Sequence, residues 1–169
     1  MSDGATYVIR HMRRDEVESF YEAVKTSAAA GQGYGVDELP DFEYFVRNYV
    51  HNFYNFVVET ADADAQLVAF RNFGPSVYAR SIQPVIVDSG NMVVSKKFRH
   101  KNIYAELVPA GFNIFEKAYP TLCGFQGDLA STMHRFLSPN IPGFAFVPNG
   151  IVPRGIYFSE TGWTDLHLM

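Results

Sequence analysis

The sequence predicts an α+β or α/β fold, with a central mixed, mostly antiparallel sheet of about six or seven strands flanked by about four helices. Three observations carry that prediction. Short runs rich in Val, Ile, Phe and Tyr recur between turn residues, as strands require. Other segments place apolar residues at helical spacing. The two patterns interleave: a strand, two helices, a run of antiparallel-type strands, strand–helix twice, then closing strands.

Tyr7 to Met12 reads as the first strand, just ahead of a charged segment. Arg14 to about Ala30 reads as a helix, with Val17, Phe20, Tyr21 and Val24 on one face and Asp15 and Glu16 in its first turn. Gly31, Gly33 and Gly35 end it. Their run lacks the preceding strand and the Lys-Ser/Thr of a phosphate-binding P-loop, so it reads as a connector. Asp41 starts a second helix whose Phe42, Phe45, Val46, Tyr49, Val50 and Phe53 form an aromatic inner face. The stretch from Tyr44 to Phe53 admits a homodimer interface or burial within one chain, and burial needs fewer assumptions.

Asn55–Thr60 and Gln66–Phe73 read as strands joined by an acidic turn. Asp62 and Asp64 lack the further ligands and glycine of an EF-hand loop, so that turn is a solvated hairpin tip. Gly74-Pro75-Ser76 reads as a break, followed by strand-like runs at Val77–Ile82 and Pro84–Val87. Asp88-Ser89-Gly90-Asn91 reads as a turn into the next strand. A helix should then run to about Lys117, with Pro109 causing a kink or a late start, and Tyr119-Pro120 stopping it. Thr121–Phe125 is a buried-strand candidate, Ser131–Leu137 a short helix, and Phe144–Val147 with Gly155–Phe158 a closing hairpin or crossover pair.

The 169 residues suit a single domain over 1–169 with a sizeable core. Fifteen Phe and ten Tyr point to a core or cleft built on rings. A net charge of -4 argues against a general electrostatic grip on nucleic acid or an anionic membrane. The single Cys123 cannot form an internal disulfide and lies in an apolar run, which fits a reducing compartment and a small buried hydrophobe. There is no long apolar run and no charged-then-apolar leader, so a cytoplasmic location is the default expectation. The five histidines show no ligand spacing, and no structural metal is expected.

The most informative stretch is Met92-Val93-Val94-Ser95-Lys96-Lys97-Phe98-Arg99-His100-Lys101-Asn102-Ile103-Tyr104-Ala105-Glu106-Leu107. An apolar strand passes through a cationic bend into a helix whose apolar positions are Ile103, Leu107, Gly111, Phe112 and Phe115. A helix N-terminus has unpaired amide donors and positive potential, so flanking Arg and Lys make it an anion site. A solvated surface turn is the plain alternative.

This stretch, together with the element order, resembles the GNAT superfamily of acyl-CoA-dependent N-acyltransferases. The family pattern is a strand ending in Val, then x-Pro-Glu-aromatic-Arg-Gly-basic-Gly-Ile-Gly, then a helix with Leu four residues on. Val94, Phe98, Arg99, Lys101, Ile103 and Leu107 match it, and Gly143-Phe144 resembles the family's closing Gly-Phe. His100, Asn102 and Tyr104 stand where the family has glycines that let backbone amides approach a pyrophosphate. Asn102 is the mildest change, and Tyr104 narrows or reshapes the seat. The family's Tyr proton donor to the CoA thiolate has no clear match.

The resemblance implies a GNAT-like sheet and an acyl-CoA co-substrate, acetyl-CoA by default, with no metal. Backbone groups of Met92, Val93 and Val94 would bond the pantetheine arm. The amides at His100, Lys101, Asn102, Ile103 and Tyr104, with the Arg99 and Lys101 side chains, would hold the pyrophosphate. A small amine or amino acid would attack the thioester directly. Asp88, Glu59 and His134 are the candidate bases by location. Each has a plainer reading: turn former, strand-end surface carboxylate and hydrogen-bonded histidine. A GNAT-fold binding or regulatory domain without turnover is the second reading, and an unrelated α+β ligand-binding module the third.

Overall fold

The computed structural model of the protein describes residues 4–30, 39–51, 53–75, 86–88, 92–101, 103–118, 124–126, 128–130, 150–158 and 162–168. Strand β1 spans Tyr7–His11. A single 3-10 turn, Arg14–Glu16, leads into α1, Val17–Ala29. Glu16 tightens the entry by accepting from the Arg13 amide at 2.8 Å, half of a capping box. The predicted apolar face is the one that is buried: Phe20, Tyr21 and Val24 are in the core and Val17 packs against it.

Asp41 caps α2, Phe42–Phe45, by accepting from the Tyr44 amide at 2.7 Å. The helix then widens into a π-turn over Val46–Val50, closed by the His51 amide on the Val46 carbonyl at 3.0 Å. Two asparagine side chains take up carbonyls there. Asn72 donates to the Tyr49 carbonyl at 2.7 Å, and Asn55 to the Val50 carbonyl at 2.9 Å. Phe42, at the start of the helix, is 42% exposed but sets its ring edge-on 5.4 Å from core Tyr21.

Asn72 is fully buried, so its bond is made in a setting without competing water. Asn72→Ala is expected to lower the unfolding free energy by about 1–3 kcal/mol, the range for stranding a buried carbonyl. Urea unfolding of both proteins measures it, and an unchanged midpoint would refute the assignment.

Strands β2, Tyr54–Thr60, and β3, Leu67–Pro75, form the expected hairpin, whose tip at Ala61–Gln66 is exposed. Thereafter β3 differs from the sequence reading. It continues through Gly74 and Pro75, which pair with Asp88 and Val87 of β4, Ile86–Asp88. Strand β5, Met92–Val94, also pairs with β3, through Arg71, Phe70 and Ala69. Both registers run the same way along β3. Of the turn expected at Asp88-Ser89-Gly90-Asn91 only Asp88 is described, as the last residue of β4, and 89–91 lie outside the described residues.

A 3-10 turn, Lys96–Phe98, precedes α3, Ile103–Ala118. The helix contains Pro109 but begins at Ile103, not later. Strand β6, Gly124–Gln126, pairs in parallel with β4, and β7 is Asp128–Ala130. Strands β8, Gly150–Phe158, and β9, Gly162–Leu168, form the closing hairpin. Gly155–Phe158 thus pairs with β9, a strand unforeseen from the sequence, and the expected partner Phe144–Val147 lies outside the described residues. So do the expected 131–137 helix, Cys123 and the Gly31–Gly35 run.

The main sheet is ordered β1-β2-β3-β4-β6 with β5 alongside β4 on β3, and β7-β9-β8 form a second sheet. Beneath one face Phe20, Phe45, Phe70, Val57 and Val93 pack against α1 and α2, the Phe20 ring lying 5.2 Å from Phe45 and 5.1 Å from Phe70. On the other face Val58, Val68 and Ala69 receive Phe98, Ile103 and Leu107. This second cluster fixes the start of α3 against the sheet. Strand β8 is interrupted where Pro153, Arg154 and Gly155 face one residue of β9; Arg154 takes a φ of +53 and its amide bonds Asp165 Oδ1 at 3.0 Å. Among the described residues no helix is long and apolar enough to cross a membrane.

Candidate functional site

The junction of β5 with α3 follows from local rules. Ser95 donates its amide to the Val68 carbonyl at 2.8 Å, and Val93 stands opposite Phe70. In an antiparallel ladder bonded and non-bonded pairs alternate, so Val93 and Ser95 face β3 with their backbone groups. The amide and carbonyl of Met92 and of Val94 therefore face the other way. On that side β5 has no strand partner among the described residues, whereas β4 has β6. The sheet forks at Asp88, the last residue of β4, which still pairs with Gln126.

Beyond the fork the chain bends. Phe98 is buried under α3, and the ammonium groups of Lys97 and Lys101 lie 5.6 and 5.3 Å from its ring centroid, both within cation–π range. Lys97 also bonds the side chain of Gln66. Arg99 reaches back, its Nε donating to the Val94 carbonyl at 3.0 Å. His100 then adopts a φ of +64, the left-handed region that glycine enters without cost and other residues at about 1–2 kcal/mol. This is one of the positions where the resemblance expects glycine, so the backbone keeps a glycine-like course through a histidine. Ile103 is buried and opens α3, and Tyr104 is the helix's second residue. The amide-rich beginning of α3 thus follows the outward-facing groups of β5, with Arg99, His100 and Lys101 between them.

Met92, Val93, Val94, Arg99, His100, Lys101, Ile103 and Tyr104 all belong to this one junction. Asn102 and His134 lie outside the described residues. Asp88 stands at the fork. Glu59 does not join it: on β2 opposite Val8, it accepts from Arg10 Nε at 3.2 Å and Nη2 at 3.0 Å. Arg10 also grips Glu16 through Nη1 at 2.9 Å and Nη2 at 2.7 Å. That pair holds the Glu16 carboxyl down to about 2 and raises the Arg10 guanidinium above its already high ordinary value. Sequence reading missed this network and the Arg99–Val94 bond. The ends of the first are 49 positions apart, and a backbone acceptor leaves no mark in the sequence.

No family model and no curated protein sequence matches the chain. Solved structures do. A GCN5-related N-acetyltransferase from Kribbella flavida is 15% identical, with a TM-score of 0.72 over 96% of this chain and 95% of that one. The ribosomal-protein-S18-alanine N-acetyltransferase from Escherichia coli is 13% identical, with a TM-score of 0.69 over 97% and 92%. Spermidine N-acetyltransferase from Vibrio cholerae, in complex with CoA and spermine, is 14% identical, with a TM-score of 0.68 over 96% and 93%. Such likeness at low identity speaks for shared architecture rather than shared substrate. The chain has the fold of the GCN5-related N-acetyltransferases, the GNAT superfamily, in a divergent sequence.

Proposed function

We propose that the protein is an acyl-CoA-dependent N-acyltransferase, with acetyl-CoA as donor and a small amine or amino acid as acceptor. The observation that carries the reading is the fork: β5 turns the backbone groups of Met92 and Val94 away from β3, directly ahead of the helix terminus that suits a diphosphate. A pantetheine arm is an extended chain with two amides, so it can add to that side as a strand would. The course of His100 supports the fit of a pyrophosphate against the α3 amides, with Lys101 as a nearby cation.

In the reaction the acceptor nitrogen attacks the thioester carbonyl, the C–S bond breaks, and the thiolate leaves as CoA. The ammonium must first lose a proton, directly or through water. We assign that role to Asp88 because of its place at the fork. Glu59 is the weaker candidate, since both its oxygens already serve Arg10. The spermidine and S18-alanine enzymes among the similar structures support an amine acceptor without specifying one.

Calorimetry with acetyl-CoA tests the donor site. Binding is expected, and Arg99→Ala with Lys101→Ala is expected to weaken it at least about tenfold, about 1.4 kcal/mol. No binding, or indifference to that change, would remove the assignment. A binding or regulatory domain without turnover is the second reading, favoured by the strained histidine at position 100. CoA release measured with a panel of small amines separates the two: release with any amine refutes the second.

A further inference from the structure

Arg99 sits in a segment that suits an anion, yet its Nε donates at 3.0 Å to a neutral carbonyl, that of Val94. This oxygen belongs to the last residue of β5 and faces away from β3, so it is one of the groups on the far side of the fork from β3. The bond ties residue 99 back to residue 94 across the Lys96–Phe98 turn. The chain between is held at its end by buried Phe98 and at its start by the Ser95 amide on Val68. Arg99 itself is extended, with φ -64 and ψ 156, and the next residue swings into the left-handed region. Three fixed points, Ser95, Phe98 and Arg99, thus precede the strained residue and set where the first amides of α3 stand.

We infer that Arg99 is a positioning residue, a hydrogen-bond brace from the β5–α3 bend to the end of β5, rather than a counter-charge for the ligand. This rests on the acyl-CoA reading and refines it. It has a consequence for the donor arm as well: the Val94 carbonyl is already engaged by Arg99. A brace needs a donor at a set reach, not a positive charge. Glutamine supplies one, because its Nε2 is as many bonds from Cα as arginine's Nε, but it is neutral. Lysine keeps the charge and lacks a donor at that position.

The test compares Arg99→Ala, Arg99→Gln and Arg99→Lys by CoA calorimetry at two salt concentrations, with amide hydrogen exchange of the free proteins over residues 95–103. A brace predicts that alanine weakens CoA about tenfold and that glutamine restores affinity to within about threefold of wild type, with the wild-type salt dependence. Alanine should also speed exchange in the bend about tenfold, and glutamine should not. If lysine matches wild type while glutamine falls to the alanine level with a weaker salt dependence, Arg99 is a counter-charge and the inference is overturned. Should wild type fail to bind CoA, the acyl-CoA reading fails, and exchange alone decides the brace: unaltered protection in Arg99→Ala refutes it.

Discussion

Arg10→Met is expected to lower the unfolding free energy by about 2–3 kcal/mol. Arg10 lies between two carboxylates from different elements, Glu16 at the entry to α1 and Glu59 on β2, and bonds each through two nitrogens. Side-chain exposures are only 25%, 17% and 23% for Arg10, Glu16 and Glu59. Removing one partner of a largely buried ion group leaves uncompensated charge, which costs about 3–5 kcal/mol when burial is complete and less here. The two carboxylates would also repel each other. Arg10→Met with Glu16→Gln and Glu59→Gln should therefore recover more than half of the loss. A single variant within about 0.5 kcal/mol of wild type in urea would show the network to be surface decoration.

The same network makes stability depend on acid. The Glu16 carboxyl is held at about 2 against an ordinary 4.5, chiefly by the Arg10 hydrogen bond. A depressed carboxylate contributes stability that is present above its unfolded value and lost as pH falls through its folded value. Wild-type stability should thus decline between pH 4.5 and 2. In Glu16→Gln that part of the decline should vanish.

The second large effect concerns the crossing of α3 over the sheet. A Cβ on Gly111 would lie 2.3 Å from Cζ of Phe73. The ring has little room to yield: it is buried, the Arg71 guanidinium lies 4.6 Å from its centroid, and the Phe56 ring meets it edge-on at 6.0 Å. Overpacking of this kind costs about 1–3 kcal/mol, against about 1 kcal/mol that alanine gains over glycine as a helix former. Gly111→Ala should be destabilising by about 1–2 kcal/mol. In a Phe73→Leu background, where the far end of the ring is gone, the same change should become stabilising. Equal effects in both backgrounds would refute the close approach as the reason for glycine.

How much of this was legible in the sequence follows from the range of each interaction. Elements set by local pattern were readable: the apolar face of α1, the Asp41 cap, the β2–β3 hairpin, and the strand–bend–helix at Met92–Leu107. The π-turn was not, because Phe45 and Tyr49 keep an α-like spacing while the added width is supported by Asn72, which comes from β3. Pro75 looked like a break but forms a strand end. Strand β9 was overlooked although Trp163, Thr164, Asp165, Leu166, His167 and Leu168 alternate in character, because polar members dilute the pattern. At the candidate site the residues were legible as a group. What each does, such as Arg99 bonding a carbonyl, depends on backbone groups that every residue possesses.

The irregular middle of β8 has a consequence for assembly. Among the described residues this strand is the outer member of its sheet, and Pro153 has no amide hydrogen to offer a neighbour. With Arg154 turned to a positive φ beside it, the rim presents no continuous run of donors and acceptors. Another chain cannot zip along that rim into a fibre-like stack, so contacts made there depend on projecting rings such as Trp163 and Tyr157.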